Sequence, residues 1–227
     1  AERDGARWRL SGVQPAVPAG AFADGFLCEA STVDGPMLFA VDRGVDGVVV
    51  IPQEVVDGAD AAQLELTEVA VDAAAALGAP DAARERVTVG VCAHQLGVLE
   101  RALELTAEYA RERTQFGAPI GSFQAVRQRL ADAYLDVEAV RLTLWQAAWR
   151  LSEGLPAEAE VATAKFWAAE AGHRVAHSCV HIHGGVGIDT DHPMHRYFVA
   201  AKRNEFTLGA ATAQLRALGT VLAEEPA

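Results

Sequence analysis

Cysteine is scarce in this chain of 227 residues: Cys28, Cys92 and Cys179 are far apart and odd in number. Such a set matches neither a zinc-ligand spacing nor a disulfide framework, and it suits a reducing cytosol. No apolar run is long and unbroken enough to span a bilayer. A basic segment followed by an apolar one, the mark of a secretory signal, is also missing. The expected location is therefore cytoplasmic, with no membrane partner. Basic residues are outnumbered, 19 Lys and Arg against 31 Asp and Glu, for a formal net charge of -12. That balance excludes a nucleic-acid surface. It also means that an anionic ligand must be held by local cations and backbone N–H groups. Internal repeats and low-complexity tracts are absent. The chain opens on Ala1-Glu2-Arg3 rather than Met, as a processed or trimmed chain would.

What is present is an apolar half, ample for a packed core, whose character changes along the chain. Residues 1–77 read as strands and turns. Trp8 to Gly12, Gly25 to Ala30, Met37 to Val41, Gly47 to Ile51 and Leu64 to Val71 are short apolar or alternating runs punctuated by Gly, Pro and Asp. They predict a small antiparallel β-domain. From residue 78 to 227 the pattern is helical. Asp81 is placed to cap a helix running to Arg113, with two apolar stripes: one from Val87 to Tyr109, the other from Leu96 to Ala110. Ser122 is placed to cap a second helix, with Phe123, Val126, Leu130, Tyr134, Val137, Val140 and Leu144 inward, ended by Gly154 and Pro156. A third, from about Ala157 to Val180, has Val161, Ala164, Ala168, Ala171 and Val175 inward. A Pro193-led segment and a final helix from about Asn204 to Leu222 complete the bundle. The fold class is α+β: a small β-domain, then an all-α helical bundle.

Two segments stand out chemically. Arg113-Thr114-Gln115-Phe116-Gly117-Ala118-Pro119-Ile120 joins a guanidinium, an amide and an aromatic ring at a turn between long helices. It reads either as a helix-ending turn with a surface Arg and a core Phe, or as a grip on a phosphorylated, ring-bearing ligand. His181-Ile182-His183-Gly184-Gly185-Val186-Gly187 reads either as a loop needing positive φ or as backbone that a ligand approaches closely. If that segment is extended, His181 and His183 face opposite ways. With no supporting carboxylate or thiol, no metal site is expected.

Order and spacing of these motifs resemble the acyl-CoA dehydrogenase family over essentially the whole chain. Trp8-Arg9-Leu10-Ser11-Gly12-Val13 is similar to a strand of its middle β-domain. Tyr109 to Gly117, followed by Phe123-Gln124-Ala125-Val126, is similar to its most specific signature. His181 to Ile188, followed by His195-Arg196-Tyr197-Phe198, is similar to a second. The resemblance implies a partial middle β-domain over residues 1–77 and a C-terminal α-helical flavin-binding and oligomerisation domain over 78–227. The family's N-terminal helical domain and the strands leading into the sheet are not in this sequence. FAD is the implied cofactor, with Arg113, Gln115, Phe116, His181, Gly184 and Gly185 gripping the adenosine side of a flavin bound mainly to a neighbouring subunit. His181 stands where the family often has Gln.

The departures shape the functional expectation. Many members carry the proton-abstracting Glu just before a Gly ahead of the last helix. Here that place reads Glu205-Phe206-Thr207-Leu208-Gly209, so the matching residue is Leu208. A minority place the Glu on the first long helix, where the match is Val87. Neither accepts a proton. The Trp-Ile-Thr stretch that packs on the flavin ring is replaced by Ala16-Val17-Pro18-Ala19. The expectation is FAD-dependent α,β-dehydrogenation of an acyl-CoA thioester, with no catalytic residue in this chain. It would be the base-lacking member of an oligomer, as in heteromeric actinobacterial acyl-CoA dehydrogenases, with a Glu-bearing subunit and an electron-transfer acceptor as partners. Two alternatives stay open: a self-sufficient dehydrogenase using Glu205 or another base, and a flavin-free scaffold subunit.

Overall fold

The computed structural model describes residues 1–224. The chain separates into two compact units, Ala1–Arg84 and a second beginning at Glu85. In the first unit, β1 (Glu2–Asp4), β2 (Arg7–Pro18), β5 (Val48–Gln53) and β6 (Ala61–Asp72) form one antiparallel sheet in the order β1-β2-β6-β5. The others, β3 (Gly25–Thr32), β4 (Gly35–Asp42) and β7 (Ala76–Gly78), form a second sheet in the order β3-β4-β7. All five anticipated strands are there, but they divide between two sheets rather than one. Trp8, Leu10, Val69 and Val71 project from the first sheet against Phe39 and Val41 of the second. Trp8 meets Phe39 edge-to-face with centroids 5.4 Å apart. Alternate residues pointing to one face of each strand make this possible.

The β2–β6 ladder slips twice, between Leu10 and Gly12 and between Gln14 and Val17. At the first slip Glu68 takes a positive φ of 50°, and its N–H donates to Ser11 Oγ at 3.0 Å. At the second, Ala16 has a φ of 54° and its N–H donates to Gln53 Oε1 at 2.8 Å. These bulges bend the strand ends.

The second unit is a helical bundle. Its helices are α1 (Asp81–Glu112), α2 (Gln124–Ser152), α3 (Glu158–His183), α4 (Pro193–Phe206) and α5 (Ala211–Glu224). With 32 residues, α1 is about 48 Å long. Small residues dominate the buried face of α3, where Ala164, Ala168, Ala171 and Gly172 are buried, so neighbouring helices approach closely. Gly172 is required there: a Cβ on it would lie 1.9 Å from Gln95 Nε2.

Five local expectations are corrected. Asp81 is the first residue of α1 rather than a cap outside it. Ser122 does not cap α2; its hydroxyl donates to Pro119 O at 2.7 Å, and Phe123 stands at the cap position. Val87, Phe123 and Tyr134 lie on exposed faces, 54%, 37% and 58% accessible, not inward. Helix α3 runs on to His183, so His181 and His183 sit in its last turn, not in an extended loop. Finally, no helix begins at Asn204, which belongs to α4. The chain leaves helical geometry at Thr207, Leu208 and Gly209 have φ of 59° and 94°, and α5 starts afresh at Ala211. The cause is side chains competing for backbone carbonyls. Lys165 Nζ donates to Glu205 O and Gly209 O at 3.1 and 2.9 Å. Gln214 Nε2 donates to Leu208 O and Gly209 O at 2.9 and 3.2 Å.

Candidate functional site

The first candidate segment grows from the end of α1. Arg113 N–H still donates to Tyr109 O at 2.8 Å, and Arg113 O accepts from Ile120 N–H at 2.8 Å. The residues between form a hairpin in which β8 (Thr114–Gln115) pairs with β9 (Ala118–Pro119). Its tip is Phe116-Gly117, with φ of 52° and 79°. Two consecutive positive φ values are what a two-residue hairpin turn demands, and Gly117 meets the demand at no steric cost. Phe116 does not, since a bulky residue at positive φ is strained. It is also 97% exposed, with the ring of Phe123 edge-on at a centroid separation of 6.3 Å. It is thus not the core Phe of the simpler turn reading. Gln115 Nε2 donates to Thr114 O at 2.7 Å. The Arg113 side chain is exposed and has no ion-pair partner among the described residues.

The second segment grows from the end of α3. His181 is exposed. Gly184 has φ 66° and ψ -144°, a region close to glycine-only, and its N–H closes onto His181 O and Val180 O. A single-turn 3₁₀ helix, Gly184–Ile188, follows. Gly187 is packed, since a Cβ there would meet Val180 O at 2.9 Å and His183 Cβ at 3.0 Å. At Gly184 and Gly185, in contrast, no atom lies within 4 Å of where a Cβ would be. Gly185 has neither a positive φ nor a crowded Cβ position, so nothing within the chain calls for glycine.

His183 joins the two segments. Its ring stacks on Tyr109 with centroids 4.4 Å apart and planes at 20°. Its Nδ1–H donates to Cys179 O at 2.9 Å, which fixes the neutral tautomer. Burial holds its pKa below the ordinary value, aided by nearby His192 and opposed by the Cys179 carbonyl. His192 Nδ1 accepts from Met194 N–H at 3.2 Å and caps α4.

The third region is the α4–α5 turn. Lys165 is wholly buried, and burial lowers its pKa against the attraction of Cys92 and Glu205. Glu205 is mostly covered and engaged. Its Oε2 accepts from Lys202 Nζ at 2.5 Å and its Oε1 lies 3.3 Å from His173 Nδ1. Beneath the turn, Asn204 Nδ2 donates to Gln95 Oε1 at 2.8 Å, and Gln95 Nε2 donates to Ala168 O and Ala201 O. Burial pushes the Cys92 thiol up to about 12 and the Cys179 thiol up to about 11, so both are unreactive packing groups. Among the described residues, no group of three His, Cys, Asp or Glu side chains could hold a metal ion.

The family profile described as "Acyl-CoA dehydrogenase, C-terminal domain" matches residues 81–223. The chain belongs to the acyl-CoA dehydrogenase family. It is 54% identical over 231 residues to acyl-CoA dehydrogenase FadE27 of Mycobacterium tuberculosis, covering 97% of this chain and 62% of that protein. It superposes on a chain of the ChsE4-ChsE5 complex from Mycobacterium tuberculosis with a TM-score of 0.94 and 55% identity, covering 100% of this chain and 63% of the other. A steroid acyl-CoA dehydrogenase, Tcur3481-Tcur3483, is similar at a TM-score of 0.93 and 41% identity, covering 98% and 62%. The chain thus spans about three fifths of the length of the relatives it matches.

Members of this family are FAD-dependent flavoproteins. The two candidate segments carry the groups that bear on its binding. They offer an exposed cation, an uncovered ring on a strained hairpin, and glycines whose Cβ positions are open. Four residues that the sequence did not single out as functional organise the α4–α5 turn: Lys165, Gln214, Gln95 and Asn204. Lys165 had a signal. It lies four residues after Val161 and three before Ala168, a lone charge on an inward stripe. Gln95 and Asn204 lie on different helices, with nothing in the sequence to pair them.

Proposed function

We propose that this chain is the base-lacking subunit of an FAD-dependent acyl-CoA dehydrogenase that works as an oligomer. A Glu-bearing partner supplies the proton-abstracting carboxylate and the main flavin face. This chain supplies the adenosine-side grip. The observation that carries the reading is the α4–α5 turn. It is held by four hydrogen bonds from Lys165 and Gln214, yet the side chain it presents at the family's base position is Leu208. Val87 is equally unable to take a proton. Glu205, the nearest carboxylate in sequence, is tied to Lys202 and His173.

In this reading Arg113 provides paired, charge-assisted hydrogen bonds to the pyrophosphate, where a planar fork suits two oxygens. Gln115 contributes an amide, and Phe116 gains the apolar cover it lacks within the chain. His181 donates or accepts at the adenosine side, and Gly184-Gly185 lets backbone N–H groups approach. FAD, when bound, would supply the hydride acceptor, and this chain's residues would hold its adenosine side in place. Ala16 to Ala19 offer neither aromatic ring nor hydroxyl, consistent with the flavin ring lying against another subunit.

The experiment is co-expression. The isolated chain should show dehydrogenation slower than the assembled enzyme by about 10²–10⁴-fold, the usual worth of a general base. Leu208→Glu alone should restore little, and a Glu-bearing partner should restore the normal rate with the unmodified chain. Full activity of the isolated chain, abolished by Glu205→Gln, would make it a self-sufficient enzyme instead. An assembly that carries no flavin absorbance would make it a scaffold.

A further inference from the structure

Arg113 and Gly184-Gly185 lie far apart in sequence, on separate segments without a hydrogen bond between them among the described residues. A dinucleotide gripped by both needs their separation fixed. One side chain lies between the elements that carry them. His183 is on the last turn of α3, one residue before Gly184. Its ring stacks on Tyr109 of α1, whose carbonyl accepts the Arg113 N–H. Its Cβ lies under Gly187, where any side chain would collide with it at 3.0 Å. Its Nδ1–H is tied back to Cys179 O, and its far edge faces His192, the cap of α4. The Nδ1–H bond sets its tautomer, and three neighbouring segments close on the ring.

We propose that His183 is a positioning residue for FAD: through its stack on Tyr109 it sets the spacing between the Arg113 hairpin and the Gly184-Gly185 turn. The inference rests on the FAD reading above. It adds a residue that touches no part of the ligand-facing surface, since His183 is buried. Chemistry favours an aromatic ring with one fixed N–H here. A flat ring stacks, and the N–H bonded to Cys179 O fixes the ring's orientation over Tyr109.

The test is FAD titration into the flavin-stripped assembled enzyme, followed by flavin fluorescence, with Arg113→Ala, His183→Ala, His183→Phe and the double variant Arg113→Ala/His183→Ala. His183→Ala should weaken FAD binding on the order of tenfold, the scale of coupling between residues in contact. His183→Phe, which keeps the stack, should recover most of that loss. In the Arg113→Ala background, His183→Ala should cost much less, because there is no longer a cation to align. Equal cost in both backgrounds, or unchanged FAD affinity in His183→Ala, overturns the inference while leaving the FAD reading intact. If Arg113→Ala itself leaves FAD affinity unchanged, the FAD reading falls and the inference with it. Should His183→Ala fail to fold, Tyr109→Leu removes the same stack from the α1 side and must show the same dependence on Arg113.

Discussion

Gly172→Ala tests the packing that holds the α4–α5 turn. In a helix interior this change ordinarily stabilises by about 1 kcal/mol, because Gly loses more backbone freedom on folding than Ala. Here the added Cβ would lie 1.9 Å from Gln95 Nε2 and 3.1 Å from Gln95 Cδ. Gln95 is completely buried, and its amide donates to Ala168 O and Ala201 O and accepts from Asn204. The amide must therefore move, which breaks its bonds to Ala168 O, Ala201 O and Asn204. Overpacking costs about 1–3 kcal/mol. Leaving buried polar groups unpaired costs about 1–3 kcal/mol each. With one polar group left unpaired and the propensity gain subtracted, the net loss should be about 1–5 kcal/mol, set against the roughly 5–15 kcal/mol that holds a typical domain. Urea denaturation followed by circular dichroism should show a lower midpoint with an unchanged slope. Gly97→Ala in α1 is the control, since no atom lies within 4 Å of its Cβ position. It should be neutral or mildly stabilising. If Gly172→Ala behaved like Gly97→Ala, the account of the Gln95 network would be wrong.

Other outcomes are expected. Arg113→Ala should weaken FAD retention by about 1.5–3 kcal/mol, the worth of a hydrogen bond to a charged group, with Arg113→Lys a partial rescue; equilibrium dialysis against free FAD reads both. Light scattering of the purified chain with its partner should show an oligomer at micromolar concentration, because α2 exposes Leu135, Leu142, Trp145 and Trp149; a stable monomer would count against the assembly. Stability should fall as pH drops below about 6.5. His183 and His177 both have folded-state pKa values lowered mainly by burial, so the unfolded chain binds more protons in that window. The contribution is complete above the ordinary histidine value and is lost as pH falls toward the lowered ones. Urea midpoints measured between pH 5 and 7.5 should show a shallower slope for His183→Phe.

The sequence by itself determined the element types and the family. Period-two alternation in Trp8 to Gly12 and Leu64 to Val71, and apolar stripes along α1 to α3, follow from one-dimensional spacing, because burial on one face imposes a repeat. The Arg113 to Gly117 and His181 to Gly187 segments were legible for the same reason, being local. Leu208 was legible as the absence of a carboxylate. Tertiary structure decided what depended on partners distant in the chain. Whether the last helix broke at Thr207 was settled by Lys165 and Gln214 taking the carbonyls of Glu205, Leu208 and Gly209. Whether Ser122 capped α2 was settled by the 3₁₀ turn Ile120–Ser122, which takes up Ser122 and leaves Phe123 at the cap position. That His183 lies against Tyr109, 74 residues earlier, and that Gln95 lies against Gly172, depends on helix faces meeting in the bundle. Periodicity says that a face is buried. Only the packing says against what.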